Sequence, residues 1–376
     1  MPNRKIMLIT PGPLYSIAED KLTALSAEFS GYFVSASDSE AIRSVKRLGS
    51  FDVRFSRSDH RRRVLSAARQ LWLCLGLVVR SRFSREPVSL VATYDPLTTG
   101  LIGWLCAIIV GARFASEVNG VYTAEAEYLD SSNRSLANLK KAFYRLLMSF
   151  VLRRAVGIKL QFPGQIDSLR IDLRGKTVRC FHNYIDLDLF LDLQRDDERK
   201  LVLFIGFPFY RKGVDILVRA FKLVAEAHPD WRLRILGWYP DPELLLREVD
   251  SHAQIEIHAP VQHSEVPRHM AECSIFVMPS RSEAKSRSLI EAMAAGKARI
   301  GSDVDGTPTI INDNVDGLLF RNGDHLDLAH KLALFMDNPD LRKRLGLASE
   351  LRARREFAPE VHCRDLMSFY REVLDA

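Results

Sequence analysis

Short apolar runs alternate with longer amphipathic stretches along almost the whole chain, and few folds satisfy that alternation. The runs Lys5–Thr10, Tyr32–Ala36, Asp52–Phe55, Val88–Thr93, Arg113–Val118, Val156–Gln161 and Thr177–Phe181 are rich in β-branched and aromatic residues, and stretches 16–29, 60–83, 97–111 and 134–155 separate them with helical spacing. The second half repeats the scheme: strands are predicted at 201–205, 232–236, 255–258, 274–278 and 298–301, and helices near 213–227, 264–272 and 287–295. Such alternation predicts an α/β protein built on doubly wound parallel sheets. A length of 376 residues suffices for two cores, and the polar run Asp192–Lys200 divides two apolar blocks. Two Rossmann-like domains, 1–190 and 191–357, facing each other across a cleft are therefore expected, with an amphipathic helix over 358–376.

The composition narrows the function classes. Five widely spaced cysteines, at 74, 106, 180, 273 and 363, fit neither a disulfide framework nor a zinc site. His258, His263 and His269 are too loosely spaced for a metal set, so no metal is expected. The first residues, M-P-N-R-K, run straight into a strand pattern rather than a signal sequence. The apolar stretch Leu97–Val110 is shorter than the roughly 20 residues of a membrane span and reads as a helix on a sheet. Residues 1–190 hold 27 Lys or Arg against 17 Asp or Glu, whereas 191–376 hold 26 against 30. The two halves thus suit different partners.

Two stretches carry the chemistry. In the first, Cys273–Met278 is a strand buried on both faces, Pro279 ends it, and a polar loop leads into a helix over Ser288–Ala295 that Gly296 stops. Loops beyond the carboxyl ends of parallel strands hold ligands, and a helix start offers N–H groups to an anion. Glu283 and Glu291, eight positions apart, are placed to face one ligand. In the second, F-I-G-F-P-F-Y-R-K-G-V-D over 204–215, a strand ends at Gly206 and Lys212 stands beside a second helix start after Gly213.

The stretch Pro279–Gly306 resembles the E-x7-E signature of family 4 (group 1) retaining glycosyltransferases, which have the GT-B fold. The outer frame matches, while Ala284, Lys285 and Ser286 stand where the family has Gly-Phe-Gly. Further motifs spread the resemblance over most of the chain: Lys212-Gly213, with Phe207 in place of an arginine; Leu236-Gly237; H-N-Y-I-D-L-D-L-F over 182–190; and D-V-D-G-T-P over 303–308, with Thr309 in place of a glutamate. The resemblance implies a nucleotide-sugar donor in the second domain. Lys212, Glu283 and Asn119 would be the catalytic residues, and Gly206, Arg211, Gly213, Gly237, Lys285, Ser286, Arg287, Ser288, Leu289 and Glu291 would bind the donor. Arg211 or Arg287 would replace the arginine expected at 207. Asn119 stands where relatives carry a histidine; it can hydrogen-bond a sugar hydroxyl but cannot act as a base at neutral pH. Gly12, Glu117 and Gly120 would lie on the acceptor side, and the last helix would return to the first domain. Neither a metal nor another cofactor is implied.

Residues 60–85 and 134–154 are basic and amphipathic. Val64, Ala68, Leu71, Leu75 and Val78 share one helical face; Leu136, Leu139, Phe143, Leu146 and Phe150 share another. Most of each stripe is expected on the domain's own sheet, with contact to an anionic membrane surface as the alternative. Nucleic acid is not expected, since no recognition motif accompanies the charge. The sequence thus points to a transferase on the cytoplasmic side of the membrane, acting on a saccharide or lipid-linked acceptor in polysaccharide or glycolipid synthesis. A non-catalytic nucleotide-sugar- or glycan-binding subunit is the alternative.

Overall fold

Covering a parallel sheet on both faces favours apolar strands, and Ile6, Val91, Ile158, Leu203, Ile235 and Val277 are all fully buried. The computed structural model describes residues 4–12, 17–37, 47–58, 62–193, 199–237, 239 and 241–376. These form two compact units.

The first unit contains strands β1 (Arg4–Ile9), β2 (Phe29–Ser37), β3 (Arg47–Leu48), β4 (Phe51–Arg57), β5 (Leu90–Thr93), β6 (Arg113–Glu117), β7 (Gly157–Leu160) and β8 (Thr177–Cys180). They lie in the order β3-β4-β2-β1-β5-β6-β7-β8. All neighbours are parallel except the two-residue edge strand β3, which pairs antiparallel with β4. Helices α1 (Ile17–Leu25), α2 (Arg63–Arg82), α3 (Thr98–Val110) and α4 (Arg134–Arg154) connect the strands. Cys74 and Val78 of α2, Ile102 and Cys106 of α3, and Met148 and Val151 of α4 share one apolar cluster, so these three helices cover the same face of the sheet. The opposite face is covered by Leu22 and Leu25 of α1 together with Leu366, Phe369 and Val373 of the final helix.

The second unit holds β9 (Leu201–Ile205), β10 (Arg232–Leu236), β11 (Ile255–His258), β12 (Ile275–Met278), β13 (Ala298–Ser302) and β14 (Leu318–Phe320), in the order β11-β10-β9-β12-β13-β14. Its helices are α5 (Val214–Ala225), α6 (Pro242–Val249), α7 (Val266–Glu272), α8 (Arg287–Ala294), α9 (His325–Asp337) and α10 (Pro339–Glu356); α11 (Pro359–Asp375) completes the chain.

The units do not divide at the polar run near 190. The second unit begins at Ile185, because Ile185, Leu187 and Phe190 bury in its core. Residues 194–198 of the polar run lie outside the described residues. Segment Thr123–Asn138, inside the first half of the sequence, also belongs to the second unit. Asp130 fastens it there by accepting the N–H groups of Tyr210 at 2.7 Å and Arg211 at 2.9 Å. Pro359–Ala376 belongs to the first unit.

The amphipathic stripe of α4 faces the other way from the one expected. Leu136, Leu139, Phe143 and Leu146 are exposed, and Met148, Val151 and Leu152 make the inward face. The α2 stripe is divided: Val78 is buried, Leu71 and Leu75 pack on the core, and Val64 is exposed. His60 and Arg61 lie outside the described residues.

Candidate functional site

In the second sheet, β10 and β12 flank β9 on opposite sides, so the strand order reverses beyond the carboxyl ends of β9 and β12, where a doubly wound sheet opens a crevice for a ligand. The loops that follow these two strands, 206–213 and 279–286, meet there. Gly213 makes the meeting close. Its φ is +69°, and a Cβ would run into the Pro279 carbonyl, so no other residue fits without moving one loop. Arg281 then ties the loops: its guanidinium spans both carboxylate oxygens of buried Asp215 at 2.7 Å each and donates to the Tyr210 carbonyl at 2.6 Å. Its backbone N–H donates to the Arg211 carbonyl at 2.8 Å. A bidentate pair of this kind fixes geometry as well as charge.

On that frame the Lys212 ammonium pairs with the Glu283 carboxylate, and both side chains are nearly enclosed. Asp305 holds the glutamate's loop, accepting from Ser282 Oγ at 2.8 Å and from the Glu283 N–H at 3.1 Å. The Gly306 N–H donates to the Glu283 carbonyl at 3.0 Å. Glu291 lies in the second turn of α8, buried, and its Oε1 receives Arg287 Nε at 2.9 Å and stands 2.8 Å from His263 Nε2. Arg287 thus turns along its own helix onto Glu291. Ser286 caps α8 by accepting the Leu289 N–H at 3.3 Å and lies 3.2 Å from Ser288 Oγ, while the Leu289 side chain is core. Lys285 stands over the Phe357 ring at 5.9 Å. Arg211 reaches Glu127 at 3.4 Å and the Phe207 carbonyl at 3.3 Å. The start of α5 is partly engaged, since the Val214 N–H donates to the Phe209 carbonyl at 3.1 Å. Gly206 and Gly237 are packing glycines: a Cβ on Gly237 would collide with the Gly206 carbonyl.

Several participants lie outside the predicted set. Glu127 arrives on the transferred segment 123–138. Burial raises its carboxyl pKa; Arg211 and Lys212 oppose the rise and Glu283 adds to it. Asp215, Arg281, Asp305 and His263 complete the frame. Beneath it, Arg299 and Arg352 clasp Asp316 at 3.0 and 2.7 Å, and Arg352 donates to the Thr309 carbonyl at 2.8 Å. Burial pulls the Arg299 guanidinium down to about 10, against the attraction of Asp316. This buried cluster, rather than a side chain at 309, fixes the loop after β13.

Residues 188–352 match the family model described as glycosyl transferases group 1. The matched residues lie within the second unit. An uncharacterized glycosyltransferase of Methanocaldococcus jannaschii is 32% identical over 158 residues, which are 41% of this chain and 43% of that protein. The N,N'-diacetylbacillosaminyl-diphospho-undecaprenol alpha-1,3-N-acetylgalactosaminyltransferase of Campylobacter jejuni is 27% identical over 51% of this chain and 46% of its own length. In both cases the match spans less than half of the relative. Sucrose-phosphate synthase from Thermosynechococcus elongatus superposes with a TM-score of 0.78 at 17% identity, covering 99% of this chain and 100% of that one. Anabaena HepE in complex with UDP-glucose gives 0.71 at 13% identity, covering 98% and 99%. The fold is thus that of GT-B glycosyltransferases.

The acceptor-side predictions fall in the first unit. Glu117, Asn119 and Gly120 follow one another at the end of β6, and Lys159 of β7 joins them from below. Fully buried Lys159 reaches Glu117 Oε2 at 3.0 Å, Asn119 Oδ1 at 3.4 Å and Asn183 Oδ1. Asn119 donates to the Tyr94 carbonyl at 2.5 Å and accepts from Gln161 at 3.3 Å. Burial raises the Glu117 carboxyl, but the charge of Lys159 and its hydrogen bond outweigh it and hold the group low. Gly120 accepts from Gln165 at 3.2 Å; the Gly12 carbonyl, next to the undescribed residues 13–16, accepts from Ser35. Among the described residues, no cluster of three or more His, Cys, Asp or Glu is placed to hold a metal ion.

His362 of α11 lies on this network. Its Nδ1 is 2.8 Å from the His182 carbonyl, and its buried Nε2 has no hydrogen-bond partner. Burial, then the charges of Lys21 and Lys159, push its pKa well below 6.5. The unfolded chain therefore binds a proton that the folded one refuses. Stability from this group is present above pH 6.5 and is lost as the pH falls below it. Thermal melts at steps from neutral to acid pH are expected to show a falling midpoint, and His362→Phe is expected to flatten that fall. An unchanged pH slope in the variant would assign it to other groups.

Proposed function

We propose that this chain transfers a sugar from a nucleotide-sugar donor, bound by the second unit, to a saccharide or lipid-linked acceptor, with retention at the anomeric carbon. The observation that carries the reading is the Lys212–Glu283 pair held where the loops of β9 and β12 meet, in the domain that matches the group 1 glycosyl transferases. The anomeric C–O bond to the diphosphate breaks, the acceptor hydroxyl oxygen forms the new bond, and its proton passes to the departing phosphate on the same face. The diphosphate gains charge as it leaves. Released by donor binding from its hold on Glu283, Lys212 neutralises that charge, and the freed Glu283 carboxylate takes hydrogen bonds from sugar hydroxyls. Glu291 is suited to the ribose diol, with Arg287 and His263 orienting its carboxylate. These residues supply the chemistry without a metal.

The solved HepE complex with UDP-glucose and the diphospho-undecaprenol-dependent relative support nucleotide-sugar and lipid-linked partners. A place on the cytoplasmic side of the membrane suits the reading. A panel of nucleotide sugars tests it. At least one is expected to raise the melting temperature, since ligand at 100 times its Kd adds about 2.7 kcal/mol, and to release nucleoside diphosphate when acceptor is supplied. No shift and no release across the panel would refute the proposal. A shift without release would mark the chain as a binding subunit.

A further inference from the structure

Helices α2, α3 and α4 form one layer on one face of the first sheet. Cys74 of α2 lies against Cys106 of α3, and Arg82 donates to the Ile109 carbonyl at 2.7 Å. Trp104 of α3 meets Phe150 of α4 edge to face at 4.9 Å, with the Arg154 guanidinium over both rings. Together the three helices carry ten Lys or Arg and no Asp or Glu. That count equals the net positive charge of the whole first half. Arg69, Arg80, Arg82, Lys140, Arg145, Arg153 and Arg154 are exposed. Between them stand large apolar side chains turned away from the core: Trp72 is 75% exposed, Leu139 67%, Phe143 57%, Leu146 71% and Ile108 60%.

A solvated helix layer balances its charges and hides its aromatic residues, and this layer does neither. We infer that the outer side of α2, α3 and α4 docks on an anionic lipid surface. The aromatic and leucine side chains enter the headgroup boundary while the arginines and lysines meet lipid phosphates. The proposal rests on the transferase reading for its purpose, because docking would bring the first unit to a lipid-linked acceptor. By length and composition Val64–Arg82 could cross a membrane. Its folded role is different: Cys74 and Val78 are sealed in the core, and Gln70 donates to the Thr10 carbonyl at 2.8 Å. The helix lies on the membrane rather than through it.

Sedimentation with vesicles tests the proposal on the full chain. Binding is expected to mixed phosphatidylglycerol–phosphatidylcholine vesicles and to be lost on pure phosphatidylcholine or at raised salt. Phe143→Glu with Leu146→Glu is expected to weaken it at least about 10-fold. Arg80→Glu with Lys140→Glu, which replaces no apolar residue, is expected to do so at low salt by about the same factor. Equal binding to both vesicle types, or wild-type binding by the charge-reversed variant, would overturn the inference. So would variants that turn an oligomer into a monomer while keeping vesicle binding, which would make this face a contact between copies. Vesicle binding is read without turnover, so nucleoside diphosphate release measured on the same variants separates a failed docking surface from a failed transferase reading.

Discussion

Lys212→Ala is expected to reduce sugar transfer by roughly 100- to 1000-fold, the usual cost of removing one preorganised group that stabilises developing charge. The same change strips a nearly enclosed carboxylate of its cation, so part of any loss could be structural. A double replacement separates the effects. With Lys212→Met and Glu283→Gln together, no buried charge is left unpaired, and the melting temperature is expected to return to near that of the wild type. Turnover is expected to stay lost, because neither the cation nor the carboxylate remains. Steady-state rates and melting curves on the three proteins decide the matter. A double variant that recovers turnover along with stability would reduce the pair to a structural clasp.

The second large effect is expected in the first unit. Lys159→Met leaves Glu117 buried without its cation, and Asn119 and Asn183 without a shared donor. Removing one member of such a pair costs about 3–5 kcal/mol. For a unit of this size that lowers the melting point by about 10 °C. Combining it with Glu117→Gln should recover much of the loss. Calorimetry in which Lys159→Met melts like the wild type would mean that the pair contributes nothing to stability.

Leu201–Ile205 was legible because a central parallel strand covered on both faces is apolar without a break, whereas Arg232–Leu236 and Ile255–His258, where charged residues alternate with apolar ones, were legible from that alternation. Strands β3 and β14, two and three residues long, are too short to leave a pattern. Helix α6 did leave a signal that was not used: Asp241 caps it by accepting the Glu243 N–H, and Pro242 opens its first turn. The α4 stripe shows where periodicity stops being informative. That helix carries apolar residues on two sides, and spacing alone cannot say which side the sheet covers.

The candidate site divides in the same way. Lys212, Glu283 and Glu291 were found because each stands in a local motif beside a predicted helix start. Their partners were not, because each contact joins distant parts of the chain. His263 meets Glu291 across 28 positions, Arg281 meets Asp215 across 66, and Arg211 meets Glu127 across 84. Arg287 and Lys285 were legible as cations near the loop, but their directions, onto Glu291 and over Phe357, follow from the packing of α8 and α10.

The return of Pro359–Asp375 to the first unit sets an order on the birth of the protein. Phe29 meets Tyr370 edge to face at 6.0 Å, and Leu22 and Leu25 lie in the same cluster as Leu366 and Phe369. While the second unit is still being made, one face of the first sheet has only α1 to cover it. The domain begun first is thus finished last. A chain truncated after residue 358 would carry a complete second unit and a first unit whose sheet face is left partly bare, the kind of surface that holdase chaperones bind.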